Sequence, residues 1–242
     1  MILVDAVVMA AGEGRRLRPL TERWAKPILP IDGRPVLATL LRQLAAVGPE
    51  TVWLVTGHLA EQVERLAGNG SAFGLRVRTV RQPDPAGSAD AVRRALEAGA
   101  TAPLLVAAAD TVFAAGDLER ARAAWEASGA PGGLGVRPLP PDELGERTRV
   151  RVEDGRLAAF GEESRDENGA VVTGAPLWFL APSLAARVPA VPGPPYELAA
   201  AFEAALAAGD AVAALSLGPT RDLTRSADLV ARNFPYLSGE GP

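Results

Sequence analysis

Cysteine is absent from the 242-residue chain, and histidine and lysine occur once each. Without cysteine there is no disulfide framework and no thiolate metal site, which points away from an oxidising compartment and towards the cytoplasm. The lone histidine, His58, has no oriented partner in the sequence and reads as structural, because a general base needs such a neighbour. A formal charge of −4 leaves no basic excess, which argues against a nucleic-acid surface. Aromatic residues make up only 5%, and Trp53, Trp125 and Trp178 fall within periodic apolar segments, so no stacking stripe for bases is present. Apolar runs stay well below the roughly 18 residues of a membrane span. The first residues read as a core strand rather than a cleavable leader.

What is present is a regular alternation. Apolar runs at 2–9, 51–55, 75–80 and 102–108 read as strands, and amphipathic stretches at 35–47, 59–66, 89–98 and 118–127 read as helices between and after them. Strands alternating with helices of about ten residues indicate a parallel sheet with ligands at the carboxyl ends of its strands. Past residue 131 the texture changes. A strand at 134–136, a hairpin over 149–160 turning at Asp154-Gly155, and a strand at 171–180 are expected there. Helices at 184–188 and 196–208, a strand at 211–217 and a helix at 226–233 follow.

The first strand runs into Ala10-Ala11-Gly12-Glu13-Gly14-Arg15-Arg16-Leu17-Arg18-Pro19-Leu20-Thr21, and Lys26-Pro27 closes the stretch. Gly12 and Gly14 let the backbone turn sharply beside a ligand and present N–H groups to phosphate oxygens. Arg16 and Lys26 add fixed positive charge, and Lys26 is the sole lysine among 25 basic residues. The third glycine of a dinucleotide fingerprint is missing. Gly57 also stands where that fold would place an acidic residue, so a dinucleotide-dependent oxidoreductase fits poorly.

With Ala25-Lys26-Pro27, this stretch resembles the opening signature of the sugar-1-phosphate nucleotidyltransferase superfamily, Ala-Ala-Gly-x-Gly-Thr-Arg-Leu-x-Pro-Leu-Thr followed by Pro-Lys-Pro. Arg15 stands where that family has Thr or Ser, and Ala25 where it has Pro. The resemblance implies a Rossmann-like, three-layer α/β/α fold with a mostly parallel twisted sheet and a small β-rich acceptor-binding insertion. It implies that Arg16 and Lys26 are catalytic, contacting the phosphates at the reaction centre, and that Ala10, Ala11, Gly12, Glu13, Gly14 and Arg15 bind the nucleotide. The segment from Arg81 to Ala91 resembles the family's Gln-x-x-x-x-Gly-x-Ala-x-Ala. That implies base recognition by Gln82 and Gly87, with Ser88 beside them and also suited to cap a helix. Asp110, here after Ala109 rather than Gly, and Asp222 match the family's two metal-binding aspartates. Mg²⁺ is the implied cofactor, since it takes one or two carboxylates and fills its octahedron with substrate phosphates.

On the acceptor side, Val172-Thr173-Gly174-Ala175 resembles the family's sugar-binding strand, and Phe160-Gly161-Glu162 lies where the family has Glu-Lys. Glu162, Thr173 and Gly174 are therefore the implied acceptor-binding residues, and Glu163 replaces the usual acceptor-phosphate lysine. The hairpin at 148–160 and Asp222-Leu223-Thr224 are similar to cytidylyltransferases acting on inositol 1-phosphate. The implied partners are a nucleoside triphosphate and a phosphorylated small molecule, without nucleic acid or membrane, and a homo-oligomer is a further expectation that the resemblance carries. A single domain is expected over 1–237, its nucleotide-binding part at 1–131 and its acceptor-binding part at 132–237, with a disordered tail at 238–242. Two alternatives stand beside transfer to a sugar phosphate: cytidylyl transfer to inositol phosphate or another non-sugar phosphate, and a non-catalytic nucleotide-sensing subunit of the same fold.

Overall fold

Short apolar runs buried on both faces make the centre of one sheet. The structure is a computed structural model and describes residues 3–140, 144–145 and 147–234. The expected tail at 238–242 and the domain end at 237 lie outside those residues.

β1 (Asp5–Ala10) leads through short 3₁₀ turns to a small antiparallel pair, β2 (Pro30–Ile31) and β3 (Arg34–Pro35), and then to α1 (Val36–Val47). There follow β4 (Val52–Thr56), α2 (Ala60–Ala67), β5 (Val77–Arg81), α3 (Ser88–Glu97) and β6 (Leu104–Ala108). β7 (Thr111–Val112), α4 (Asp117–Ser128), β8 (Gly132–Leu139), β9 (Val150–Glu153), β10 (Arg156–Phe160) and β11 (Val171–Leu180) come next. α5 (Pro182–Ala185), α6 (Leu198–Ala207), β12 (Val212–Ser216), β13 (Arg221–Asp222) and α7 (Ser226–Asn233) complete the described chain.

Nine strands form one sheet in the order β5-β4-β1-β6-β11-β8-β12-β10-β9. β5, β4, β1 and β6 run parallel, as strands joined by helical crossovers must. β11 is antiparallel to both β6 and β8, and β12 is parallel to β8. The strands after residue 131 therefore continue the first sheet.

Alternate residues of each strand feed two cores. On one face Ala6, Val8, Leu54 and Leu105 pack under α1, α2 and α4. On the other, Val7, Leu104 and Val106 pack under α3, α5 and α6. In α1, Leu37, Leu40, Leu41 and Leu44 are fully buried, roughly 2 kcal/mol each relative to exposure. The helix ends at Gly48, left-handed at φ 70°, whose N–H closes on the Leu44 carbonyl at 3.1 Å.

The alternation read from the sequence is present throughout. β8 extends beyond the expected 134–136 at both ends, because Gly132 and Gly133 carry no apolar side chain for a pattern to register and Arg137-Pro138 interrupt the apolar run while still pairing with Thr173 and Val172. The two glycines nonetheless pair on both sides, and a Cβ at Gly133 would lie 2.8 Å from Trp125. The helix expected at 184–188 resolves into α5 and a 3₁₀ turn, Val188–Ala190. The pairs β2–β3 and β7–β13 have two residues per strand, too short for any periodicity.

Candidate active site

The loop after β1 turns at Gly14, whose φ of 62° suits glycine. The position is also crowded: a Cβ there would lie 2.9 Å from Thr21 Cγ2 and 3.2 Å from Lys26 Cβ. Gly14 thus lets the chain from 21 to 26 fold back onto the loop, and Thr21 Oγ1 seals the approach by donating to the Gly14 carbonyl at 2.9 Å. α2 supports the returning strand. Gln62 accepts from Ala25 N at 2.9 Å and donates to the Arg23 carbonyl at 2.8 Å. His58 Nε2 lies 2.6 Å from the Thr21 carbonyl and its backbone N–H donates to Ala11, so the single histidine braces the loop.

Glu13 binds Arg15 at 2.8 Å and Arg18 at 3.1 Å. The Arg15 hydrogen bond, with the charges of both arginines, outweighs desolvation and holds the Glu13 carboxyl below its ordinary value. Arg16 is exposed on the 3₁₀ turn that follows Gly14. Leu17 on the same turn is fully buried in a satellite core with Leu29, Ile31, Val36, Val112 and Leu223.

That satellite core also carries the two aspartates. Val112 belongs to β7 and Leu223 follows β13, and the pairing of these strands sets Asp222 opposite Thr111, the residue after Asp110. Two aspartates 112 positions apart in sequence thereby lie in neighbouring segments, Asp110 next in sequence to the residue opposite Asp222. Each carries a cation: Lys26 Nζ pairs with Asp110 Oδ2, and Arg147 Nη2 donates to Asp222 Oδ1 at 3.0 Å. Thr224 Oγ1 donates to Asp222 Oδ2 at 3.3 Å. Burial would raise the Asp222 pKa. The Arg147 bond and charge, the charge of Arg137 and the Thr224 bond outweigh it, so the carboxyl is held below the ordinary range. Among the described residues no cluster of three or more His, Cys, Asp or Glu exists. An ion here would rest on this aspartate pair and on substrate oxygens, which is a donor set suited to Mg²⁺.

Gln82 is buried at the end of β5. Its Nε2 donates to the Gly87 carbonyl at 3.1 Å and to Asp90 Oδ2 at 2.7 Å. Asp90, also buried, binds Arg93 and, at 2.7 Å, Arg94 Nε. Burial alone would raise its pKa, but the bonds from Arg94, Gln82 and Arg93 hold it below the ordinary value. Gly87 has φ 120°, and a Cβ there would lie 2.3 Å from the Tyr196 carbonyl oxygen. Tyr196 N donates to Ala86 at 2.7 Å and its carbonyl accepts from Ala89 at 2.8 Å, so the segment before α6 straps the loop down. Ser88 Oγ donates to Glu197 at 2.6 Å and accepts from Leu198 N at 2.7 Å, which makes it a cap for α6 as well as the start of α3.

The three acceptor-side residues are arranged differently. Glu162 is exposed and bound to Arg151 Nε at 2.8 Å. Thr173 is fully buried and donates to the Arg137 carbonyl at 3.2 Å. Gly174 N donates to the Thr148 carbonyl at 2.9 Å, anchoring the segment that bears Arg147. Glu163 is tied to Arg149 and Arg165. Arg147, Arg137, Asp90 and Tyr196 carry no functional signal in the sequence, for no short motif links any of them to its partner. Among the described residues no helix is long and apolar enough to cross a membrane.

The family model described as nucleotidyl transferase matches residues 5–144. The CMP-5'-(3-aminopropyl)phosphonate synthase of Streptomyces rubellomurinus is 39% identical over 178 residues, 70% of this chain and 27% of that protein. The mannose-1-phosphate guanylyltransferase of Mycobacterium tuberculosis is 46% identical over 85 residues, 35% of this chain and 24% of that protein. The chain thus spans about a quarter of the length of these relatives. The solved inositol-1-phosphate CTP transferase of T. maritima matches with a TM-score of 0.77 at 17% identity, covering 93% of this chain and 91% of that one, a likeness of fold.

Proposed function

The chain belongs to the nucleotidyl transferase family, and we propose that it transfers a nucleoside monophosphate from a nucleoside triphosphate to an oxyanion of a phosphorylated small molecule. A sugar 1-phosphate is the leading acceptor class. The acceptor oxygen bonds to the α-phosphorus as the bridging P–O bond to the β-phosphate breaks, and pyrophosphate leaves with the bonding pair. A phosphate oxyanion is already nucleophilic at neutral pH, so the work is positioning and charge neutralisation. In this reading the backbone N–H groups of 12–15 and the Arg16 side chain hold the β- and γ-phosphates, and Lys26 neutralises charge at the α-phosphate. Gln82 and Gly87 face the base, and Glu162 faces the acceptor. Asp110 and Asp222 would hold Mg²⁺, which when bound neutralises phosphate charge and orients the two substrates.

The observation that supports this reading is the β7–β13 pairing, which sets Asp222 opposite Thr111, next in sequence to Asp110, while Asp110 pairs with the chain's only lysine. A second reading, cytidylyl transfer to a non-sugar phosphate or phosphonate, is favoured by Glu163 in place of the acceptor-phosphate lysine and by the span of the match to the phosphonate synthase. Pyrophosphate release with Mg²⁺ tests both. Each triphosphate is paired with mannose 1-phosphate, inositol 1-phosphate and 3-aminopropylphosphonate. Release that requires one triphosphate and one acceptor is expected. Nucleotide binding without release from any pair would instead indicate a non-catalytic nucleotide sensor.

A further inference from the structure

A tetrahedral oxyanion brought against a triphosphate needs a cation of its own, and the position after Glu162 does not supply one. Glu163 there is acidic and engaged with Arg149 and Arg165. The positive charge lies elsewhere. Arg147, from the stretch between β8 and β9, reaches Asp222 with one guanidinium nitrogen, and its side chain is 30% exposed. A guanidinium has five N–H donors in a planar fork, so this single bond leaves capacity for a second oxyanion. Behind it Arg137, buried in β8, donates to the Thr220 carbonyl at 3.1 Å and adds its charge to the field at Asp222. On the other aspartate Lys26 arrives from the nucleotide half of the chain; on Asp222 Arg147 arrives from the acceptor half.

We infer that Arg147 binds the oxyanion of the acceptor, a phosphate or a phosphonate, in place of the absent lysine. The inference rests on the transfer reading for the identity of the anion as a substrate group. It also gives the Thr173-Gly174 pair a role. Thr173 holds the Arg137 carbonyl, and Gly174 N–H holds the Thr148 carbonyl one residue from Arg147, so β11 sets the reach of the fork. A guanidinium fork donates to two oxygens of one tetrahedral group side by side, which a lysine ammonium cannot do.

The test compares wild type with Arg147→Gln and Arg147→Lys in the intact chain. With any acceptor that supports turnover, R147Q should raise acceptor KM by about tenfold or more, the loss of one charge-assisted pair. Triphosphate KM should stay near wild type, the Mg²⁺ titration should move less than the acceptor KM, and R147K should recover only part of the acceptor loss. An unchanged acceptor KM, or a shift confined to the Mg²⁺ titration, overturns the inference and leaves Arg147 a counter-ion of Asp222. Binding of methylphosphonate and methyl phosphate, followed by ³¹P NMR with Mg²⁺ present, reads the same site without turnover. Both ions should bind wild type more tightly than R147Q. Equal affinity in the two proteins, equal absence of binding included, overturns it. If the transfer reading itself fails, wild type releases no pyrophosphate from any pair, and the methylphosphonate comparison still decides the role of Arg147.

Discussion

The two halves of the sheet hold their polar groups in different ways. In the first, Gln82, Asp90 and Gly87 form a buried network whose bonds run to one another and to backbone, and Gly14 and Thr21 lock the loop around Lys26. In the second, Glu162, Glu163, Arg149, Arg151 and Arg165 meet in ion pairs with substantial exposure. Buried and fully satisfied groups specify one arrangement, while exposed pairs contribute little and reorganise easily. Under the proposed transfer, a site for an invariant triphosphate would be rigid, and a site for a particular acceptor would gain from side chains that can be exchanged without disturbing the core.

Lys26→Ala removes from the rigid half the cation proposed for the α-phosphate and should have the largest effect. Turnover is expected to fall by about 10² or more, what one donor aimed at developing phosphate charge supplies. Steady-state pyrophosphate release within threefold of wild type would remove Lys26 from the centre. Asp222→Asn probes the meeting point of the halves. It should raise the Mg²⁺ concentration for half-maximal rate by about tenfold, roughly 1.4 kcal/mol of binding, and an unchanged metal titration would sink that assignment. The smallest effects come from comparing Asp90→Asn with Glu162→Gln by thermal unfolding. D90N should cost about 1–3 kcal/mol, the range for a hydrogen bond to a charged group, and E162Q about 0–1 kcal/mol, as for an exposed pair. The sign with pH follows from the lowered Asp90 value. Its contribution is complete above the ordinary carboxylate pKa and disappears as the pH falls through the folded value, so acid should narrow the gap between D90N and wild type. Equal losses in both variants, at every pH, would erase the contrast between the halves.

How far the sequence could be read follows the same division. The strands β1, β4 and β6 announce themselves as apolar runs because both faces are covered. The glycine loop is legible because its chemistry needs residues adjacent in sequence. Asp110 and Asp222 were found only by their likeness to a family pattern, since the β7–β13 pairing that unites them has two residues per strand. Arg147 and Tyr196 carried no signal. Their partners lie 75 and 109 positions away, in Asp222 and Gly87, and such contacts exist only once the sheet is assembled. Thr173 was legible as a motif, but its buried bond to the Arg137 carbonyl gives it a supporting place rather than a surface one.

The strap at Tyr196 bears on modularity. A fragment cut after residue 131 would retain the glycine loop, Lys26 and Asp110, yet it would lose the segment that closes over Gly87 and the strand that pairs with β6. A shuffling event that carried off only the motif-rich half would deliver an exposed sheet edge and a Gly87 loop without its strap. The body holds together only with both halves, and a break is penalised at the points where the chain crosses from one half to the other.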